Sequence, residues 1–301
     1  MGRGARRLTR RFVLAGGASA AVAGCASAPS EVIAPPEAAI RVATFNIEYV
    51  YLTARRRIFG STEAEWAARR AGALAALRRI NADVIAFQEM ETWAGLPQEG
   101  PPIQRQWLSA RMPGFGIAAI GAGEGRETGQ PIMYRLARFV ALADGAVALG
   151  GQPGDGAPFA GYSDMVTWAQ LRDRITGEGL RVINLHLHFR DGARRRSGAR
   201  LAAAMAAEAL SRGERVIVLG DLNATPLMSP VNMLREAGLA DVPLNGATYH
   251  FGRGWHVMRS IDHIFHGPGL QALGDAQMLR GQYDGVWPSD HYPVWADFRY
   301  R

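Results

Sequence analysis

Apolar and β-branched residues gather in short runs along the chain, and each run closes on polar side chains. Residues 40–47 (IRVATFNI) end near Asn46 and Glu48, residues 83–87 (DVIAF) meet Gln88 and Glu89, and residues 181–187 (RVINLHL) carry His186 into His188. Residues 215–219 (RVIVL) run into GDLNATP, residues 260–265 read SIDHIF, and residues 288–298 read PSDHYPVWADF. Runs this apolar predict strands covered on both faces. Helical spacing takes over between them. Trp66, Ala73, Leu74, Leu77 and Ile80 mark an amphipathic helix over 64–80 with its arginines toward water, and 197–210 is an alanine-rich second helix. Strands and helices alternate through both halves, which predicts an α/β architecture.

In a strand, residues two apart share a face, so Asp221 and Asn223 are expected to point together where the run over 215–219 ends. Taken singly, such residues have ordinary readings: an Asp or Asn after a strand caps a turn, a His in an apolar strand is a hydrogen-bonded core residue, and a Glu reaches water. Those readings do not predict the set Asn46, Glu89, His186, Asp221, Asn223, Asp262, Asp290 and His291, each at or beside a strand end. Strand ends and the loops after them are where such folds build sites.

Composition fits one globular domain with an ample core: 301 residues, 48% hydrophobic and 20% charged, with no internal repeat. The first 24 residues stand apart. They hold five arginines and no acid, then an apolar segment over 12–23 that is shorter than the roughly 18 residues a membrane span needs. This order reads as an export signal. Thr9-Arg10-Arg11-Phe12 resembles a twin-arginine motif, and Val22-Ala23-Gly24-Cys25 resembles a bacterial lipobox whose cysteine is lipidated. Residues 25–38 then form a tether and 39–301 the domain. Cleavage before Cys25 would remove five of 34 basic residues and none of 27 acids, lowering the net charge from +7 to +2, so basicity is no argument for nucleic acid. Cys25 is the single cysteine, which leaves the exported domain no disulfide.

The motifs ATFNIE (43–48), DVIAFQEM (83–90), PIMYR (131–135), NLHLH (184–188), GDLNATP (220–226), IDHIF (261–265) and SDHYPV (289–294) together resemble the endonuclease/exonuclease/phosphatase superfamily. These are metal-dependent phosphoesterases that include deoxyribonuclease I-like nucleases. The resemblance covers about residues 39–301 and implies a four-layer α/β/β/α sandwich, two mixed sheets face to face with helices outside. It implies a hydrolase using Mg²⁺ or Mn²⁺, with Glu89 the principal metal ligand, Asn46 a ligand or support of that site, and Asp290 close by. The expected nucleophile is water, since these positions offer no strong covalent candidate; the roles that follow are those the resemblance implies. His291 is general base or electrostatic partner and Asp262 fixes its tautomer. Asp221 handles a proton or orients water, while Asn223 and His186 donate to phosphoryl oxygens.

His188 stands where family members often carry an aspartate, and no tyrosine matches the one that many family nucleases place beside the phosphate. Glu127 is a substrate-binding candidate. In TYHF (248–251), His250 is read either as a substrate contact or as a structural loop residue. Trp255 is read as a stack for a base or as packing, and Arg194, Arg195 and Arg196 as phosphate contacts or a solvated face. The expected protein is an exported, lipid-anchored monomer acting on a phosphate ester, nucleic acid first. Phospholipid, inositol phosphate and sugar phosphate are alternatives, and a silent binding protein on the same fold is a third. No partner protein is evident.

Overall fold

Along the strand Ile40–Asn46 every side chain is buried, but in two different places. Ile40 and Val42 enter one core, Ala43 and Phe45 another. The structure is a computed structural model that describes residue 1 and residues 31–52, 60–93, 100–121, 128–149 and 165–301. Cys25 and Glu127 lie outside the described residues.

Two large mixed sheets carry the domain. The first runs Leu270–Ala272, Val294–Tyr300, Ile40–Asn46, Val84–Gln88, Ile132–Arg135, Phe115–Ala118, with Gln277–Met278 also paired to Val294–Tyr300. The second runs Ala240–Asp241, Asp262–His266, Arg215–Asp221, Gly179–His186, Met165–Asp173, Phe139–Ala148. One core fills the space between them, from Ile40, Val42, Val84 and Ala86 on one side to Val182, Ile217, Leu219 and Ile264 on the other. The helices Glu63–Ile80 and Ile103–Ser109 cover the outer face of the first sheet, and Gly192–Ser211 and Ser229–Glu236 that of the second. The expected four-layer sandwich is present. Among the described residues no helix is long and apolar enough to cross a membrane.

Local signals set the helix ends. The Thr62 hydroxyl accepts from Glu65 N at 3.2 Å while the Glu65 carboxylate accepts from Thr62 N at 2.7 Å, a reciprocal cap worth about 1 kcal/mol. Asn81, with φ 54°, ends the same helix. The helix expected over 197–210 begins earlier, at Gly192, because Asp191 caps it by accepting from Ala193 N and Arg194 N. The helix Glu63–Ile80 departs from expectation at one arginine: Arg69 is 4% exposed and turns inward.

The inter-sheet faces change character along the strands. Val42, Ala86, Val182 and Leu219 are apolar; two residues on in the first three strands come Thr44, Gln88 and Asn184, which are hydrogen-bonded to one another. Thr44 Oγ1 donates to Gln88 Oε1 at 3.2 Å, and Gln88 Nε2 donates across the gap to Asn184 Oδ1 at 2.7 Å. Asn46, His186, Asp221 and Asp262 follow at the strand ends. Close approach of backbone holds this level together at Gly220, φ 139°, where a Cβ would sit 2.0 Å from Leu185 O.

Candidate active site

Register delivers three of the expected residues to one level. His186 pairs with Asp221 across parallel strands, and Asp221 pairs with Asp262 across antiparallel ones. All three have the parity of the inter-sheet core, so they face the first sheet. From there Asn46 reaches across: its Nδ2 donates to Asp221 Oδ2 and to Glu89 Oε1, both at 3.1 Å. His291, from the loop before Val294–Tyr300, closes the group, with Nδ1 2.9 Å from Asp262 Oδ2 and Nε2 3.7 Å from Asp221 Oδ2. His186 Nε2 stands 3.6 Å from Glu89 Oε1 and 3.7 Å from Asp221 Oδ2. A cleft of about 130 Å³ opens onto Glu89, His186, Asp221, Asn223, Asp290 and His291.

Asn46 presents its amide nitrogen to the cleft, because its Oδ1 accepts from Glu48 N at 3.1 Å. In this orientation it bridges two carboxylates, the role of support for the site rather than of direct ligand. Glu89 sits just past its strand with φ 58°, and its carbonyl accepts from Glu91 N at 2.8 Å. That left-handed turn costs about 1 kcal/mol and throws the carboxylate back over the strand end.

Two loops bearing site residues are joined from beneath. Ser289 Oγ donates to Asn46 O at 2.7 Å and accepts from His291 N at 3.2 Å. Arg69 Nη1 donates to Ile47 O at 2.6 Å and to Pro288 O at 2.9 Å, and its Nη2 donates to Glu48 O at 2.6 Å. Sequence reading missed both roles. Ser289 lay inside a quoted motif, and Arg69 had no signal to separate it from the exposed arginines of its helix.

Burial shifts the titrating groups in opposite directions. Glu89 is pushed up to about 8 by burial and by the Asp290 charge, against the Asn46 hydrogen bond. Asp221 is raised to about 7 by burial and by Asp262. His186 is lowered to about 3 by burial and the neighbouring His291 charge, so its ring stays neutral. Burial alone would lower His291, but the charge and hydrogen bond of Asp262, with Asp221 and Asp290 behind them, hold it well above the ordinary range. Excess negative charge enclosed this way suits a cation. Ligating atoms of Asp221, Asp262 and His291 all lie within 4.8 Å of one another, and this buried cluster could hold a metal ion.

Asn223 reaches the cleft by a different route from the strand alternation expected. The strand stops at Asp221, and Asn223, φ 45°, folds back so that its N–H donates to Asp221 Oδ1 at 2.8 Å. Its Nδ2 donates to Leu187 O at 2.9 Å. His250 is fully buried against Tyr292 and Trp287 and does not line the cleft; the neighbouring Tyr249 does. Tyr249 is half-buried, and burial together with nearby Asp290 and Glu89 keeps its phenol protonated. His188 Nδ1 accepts from Asp191 N at 2.9 Å and Arg190 N at 3.2 Å, so it organises the loop before the helix Gly192–Ser211. Arg195 is tied to His188 O and Phe189 O.

The profile of the Endonuclease/Exonuclease/phosphatase family matches residues 43–291. No curated protein matches the chain by sequence. Similar solved structures include an endonuclease/exonuclease/phosphatase from Bacteroides vulgatus, 22% identical, TM-score 0.67, covering 87% of this chain and 99% of that one. A mannosyl-6-phosphatase from Bacteroides thetaiotaomicron is 20% identical with TM-score 0.67, over 87% of this chain and 100% of that one. D. rerio TDP2 complexed with single strand DNA product is 16% identical with TM-score 0.60, over 87% and 100%.

Proposed function

The chain belongs to the endonuclease/exonuclease/phosphatase family, and from that premise we propose that it hydrolyses phosphodiester bonds by attack of water, with nucleic acid as substrate. The observation that carries this reading is the level at which His186, Asp221 and Asp262 stand side by side in register, opposite Asn46 and Glu89. A phosphodiester is anionic, so its hydrolysis needs charge neutralised, water prepared and the leaving oxygen stabilised.

Glu89 and Asp290, which line the same cleft, would hold a divalent cation, Mg²⁺ or Mn²⁺, in preference to the cluster of Asp221, Asp262 and His291, where the imidazole is protonated and bonded to Asp262. The oxygen donors of Glu89 and Asp290 and the burial that raises Glu89 fit such an ion, which supplies electrostatic neutralisation of the phosphoryl oxygens when bound. Asp221, raised to about 7, accepts the proton of the attacking water. His291, kept protonated by Asp262, faces the phosphoryl oxygens with its Nε2. His186 is neutral and adds a donor without adding charge. Asn223 turns the remaining proton of its amide to the same centre.

Residues 1–24 as export signal, Cys25 as lipid attachment within a 25–38 tether, and 39–301 as the catalytic domain complete the proposal, which places the enzyme on a membrane outside the cytoplasm.

The test is turnover of bis(p-nitrophenyl) phosphate by the purified protein with EDTA and after restoring Mn²⁺ or Mg²⁺. Activity should vanish with EDTA and return with the ion, and Glu89→Gln should lower it by about 10²-fold while the protein stays folded. Full turnover in EDTA would overturn the metal reading.

A further inference from the structure

Trp255 is 51% exposed, so it does not serve as core packing. It ends a line of rings that begins inside the cleft. Tyr249 lines the cleft with its ring centroid 4.8 Å from that of His291. Phe251 follows at 4.3 Å from Tyr249, and Trp255 at 6.2 Å from Phe251. The Arg253 guanidinium lies 5.0 Å from the centre of the Trp255 ring.

The segment that carries these rings is tightly built. The His250 carbonyl accepts from Arg253 N at 3.0 Å and from Trp255 N at 3.2 Å, and its Nδ1 accepts from Gly254 N at 3.3 Å. His250 N donates to Asp290 O at 2.8 Å, which ties the turn to the active-site loop. Phe251 itself has φ 60°, a left-handed conformation uncommon for a side chain of this size. Gly254, φ 73°, lies so close to Trp287 that a Cβ would come within 2.9 Å. Backbone strain is thus held in place by a buried histidine, and its result is an aromatic side chain left 37% exposed. Strain and exposed apolar surface both oppose folding, and their coincidence beside a reactive centre marks a surface shaped for a ligand.

We propose that Phe251 and Trp255 form a stacking subsite for an unpaired nucleobase of the substrate, with Tyr249 leading to it from the reacting phosphate. The assignment rests on the phosphoesterase reading of the cleft. A nucleobase hangs from the sugar next to the phosphate, and its flat face matches rings that step outward from His291. Arg253 backs the indole and adds positive charge for a flanking phosphate. Stacking tolerates any base, and bases inside a duplex are hidden from it, so the subsite selects single strands over duplex.

The deciding comparison is a single-stranded oligothymidylate against the same strand with abasic sugars. Wild-type kcat/KM should favour the base-bearing strand, and Trp255→Ala should lower that ratio by about tenfold through KM, with Trp255→Phe restoring most of it. Anisotropy of a labelled oligothymidylate in EDTA reads binding apart from hydrolysis and should show the same order. Equal use of both strands, with affinity indifferent to Trp255→Ala, overturns the subsite while the phosphoesterase reading stands. If neither strand is cleaved under any metal, the catalytic reading fails, and the anisotropy still decides the subsite. Loss of phosphatidylglycerol-vesicle binding by Trp255→Ala at unchanged oligonucleotide affinity would show the rings to be a membrane contact and reject the proposal.

Discussion

His291 Nδ1 and Asp262 Oδ2 lie 2.9 Å apart in a setting where both side chains are almost fully buried. The carboxylate orients the ring by accepting from Nδ1–H and keeps it charged against the effect of burial.

Asp262→Asn should therefore lower kcat by about 10²- to 10⁴-fold with little change in KM. Loss of the carboxylate charge lets His291 release its proton at lower pH, so the high-pH limb of the rate profile should move to lower pH. His291→Ala should cost about as much, and the double variant scarcely more. Additive losses in kcat, or normal turnover with only a lower Tm, would rule out a working pair.

Asn46 donates to Glu89 and Asp221 at once. Asn46→Ala removes the donor they share, and the expected outcome is a higher Mn²⁺ concentration for half activation together with a kcat loss of about 10²-fold. Asn46→Asp should be worse, since it adds a third carboxylate to two that are already raised. An unchanged Mn²⁺ requirement in both variants would remove Asn46 from the metal side of the site.

In EDTA, stability should fall as pH rises. Glu89, Asp221 and His291 all take up protons more readily folded than unfolded, so the stabilisation they give is complete below their unfolded values and is lost as pH climbs through the folded ones. His186, lowered to about 3, works the other way, but only below about pH 6.5. Between about pH 6.5 and pH 9 only the falling contribution remains. Tm measured across that window should decline in EDTA and decline much less with Mn²⁺, because the ion takes the place of protons on the carboxylates. A flat or rising Tm in EDTA would contradict these shifts.

Expression of the full gene and of Cys25→Ser in a bacterial host should place the first in the membrane fraction and the second in the soluble one. Two or more acyl chains give stable anchoring where one gives marginal binding. Equal solubility of both forms would end the lipid-anchor proposal.

The strands and the residues at their ends were legible because each apolar run is buried on both faces and stops abruptly at a polar group. What stayed hidden depended on direction rather than on residue type. Tyr249 and His250 are adjacent, and only the bridge between Tyr249 and His291 decides which of them faces the cleft. Asp221 and Asn223 were expected to meet by strand alternation and meet by a turn, since an asparagine accepts left-handed backbone as readily as it continues a strand. Arg69 resembles the solvent-facing arginines of its helix, and its partners are carbonyls of loops that are close only after folding.

Thr44, Gln88 and Asn184 lie between the apolar inter-sheet core and the charged groups above it. Asn184 Nδ2 also donates to Phe87 O at 2.8 Å and to Gln130 O at 3.1 Å, so the amides are anchored to backbone and to one another. Water beneath the carboxylates would have to reorient each time charge moved during hydrolysis. Here that polarisable layer is already oriented when the chain folds, and its dipoles stay fixed from one turnover to the next. Gln88→Leu or Asn184→Leu would extend the oily interior up to the carboxylates, leave the remaining amide without its partner, and take away the fixed dipoles the chemistry draws on.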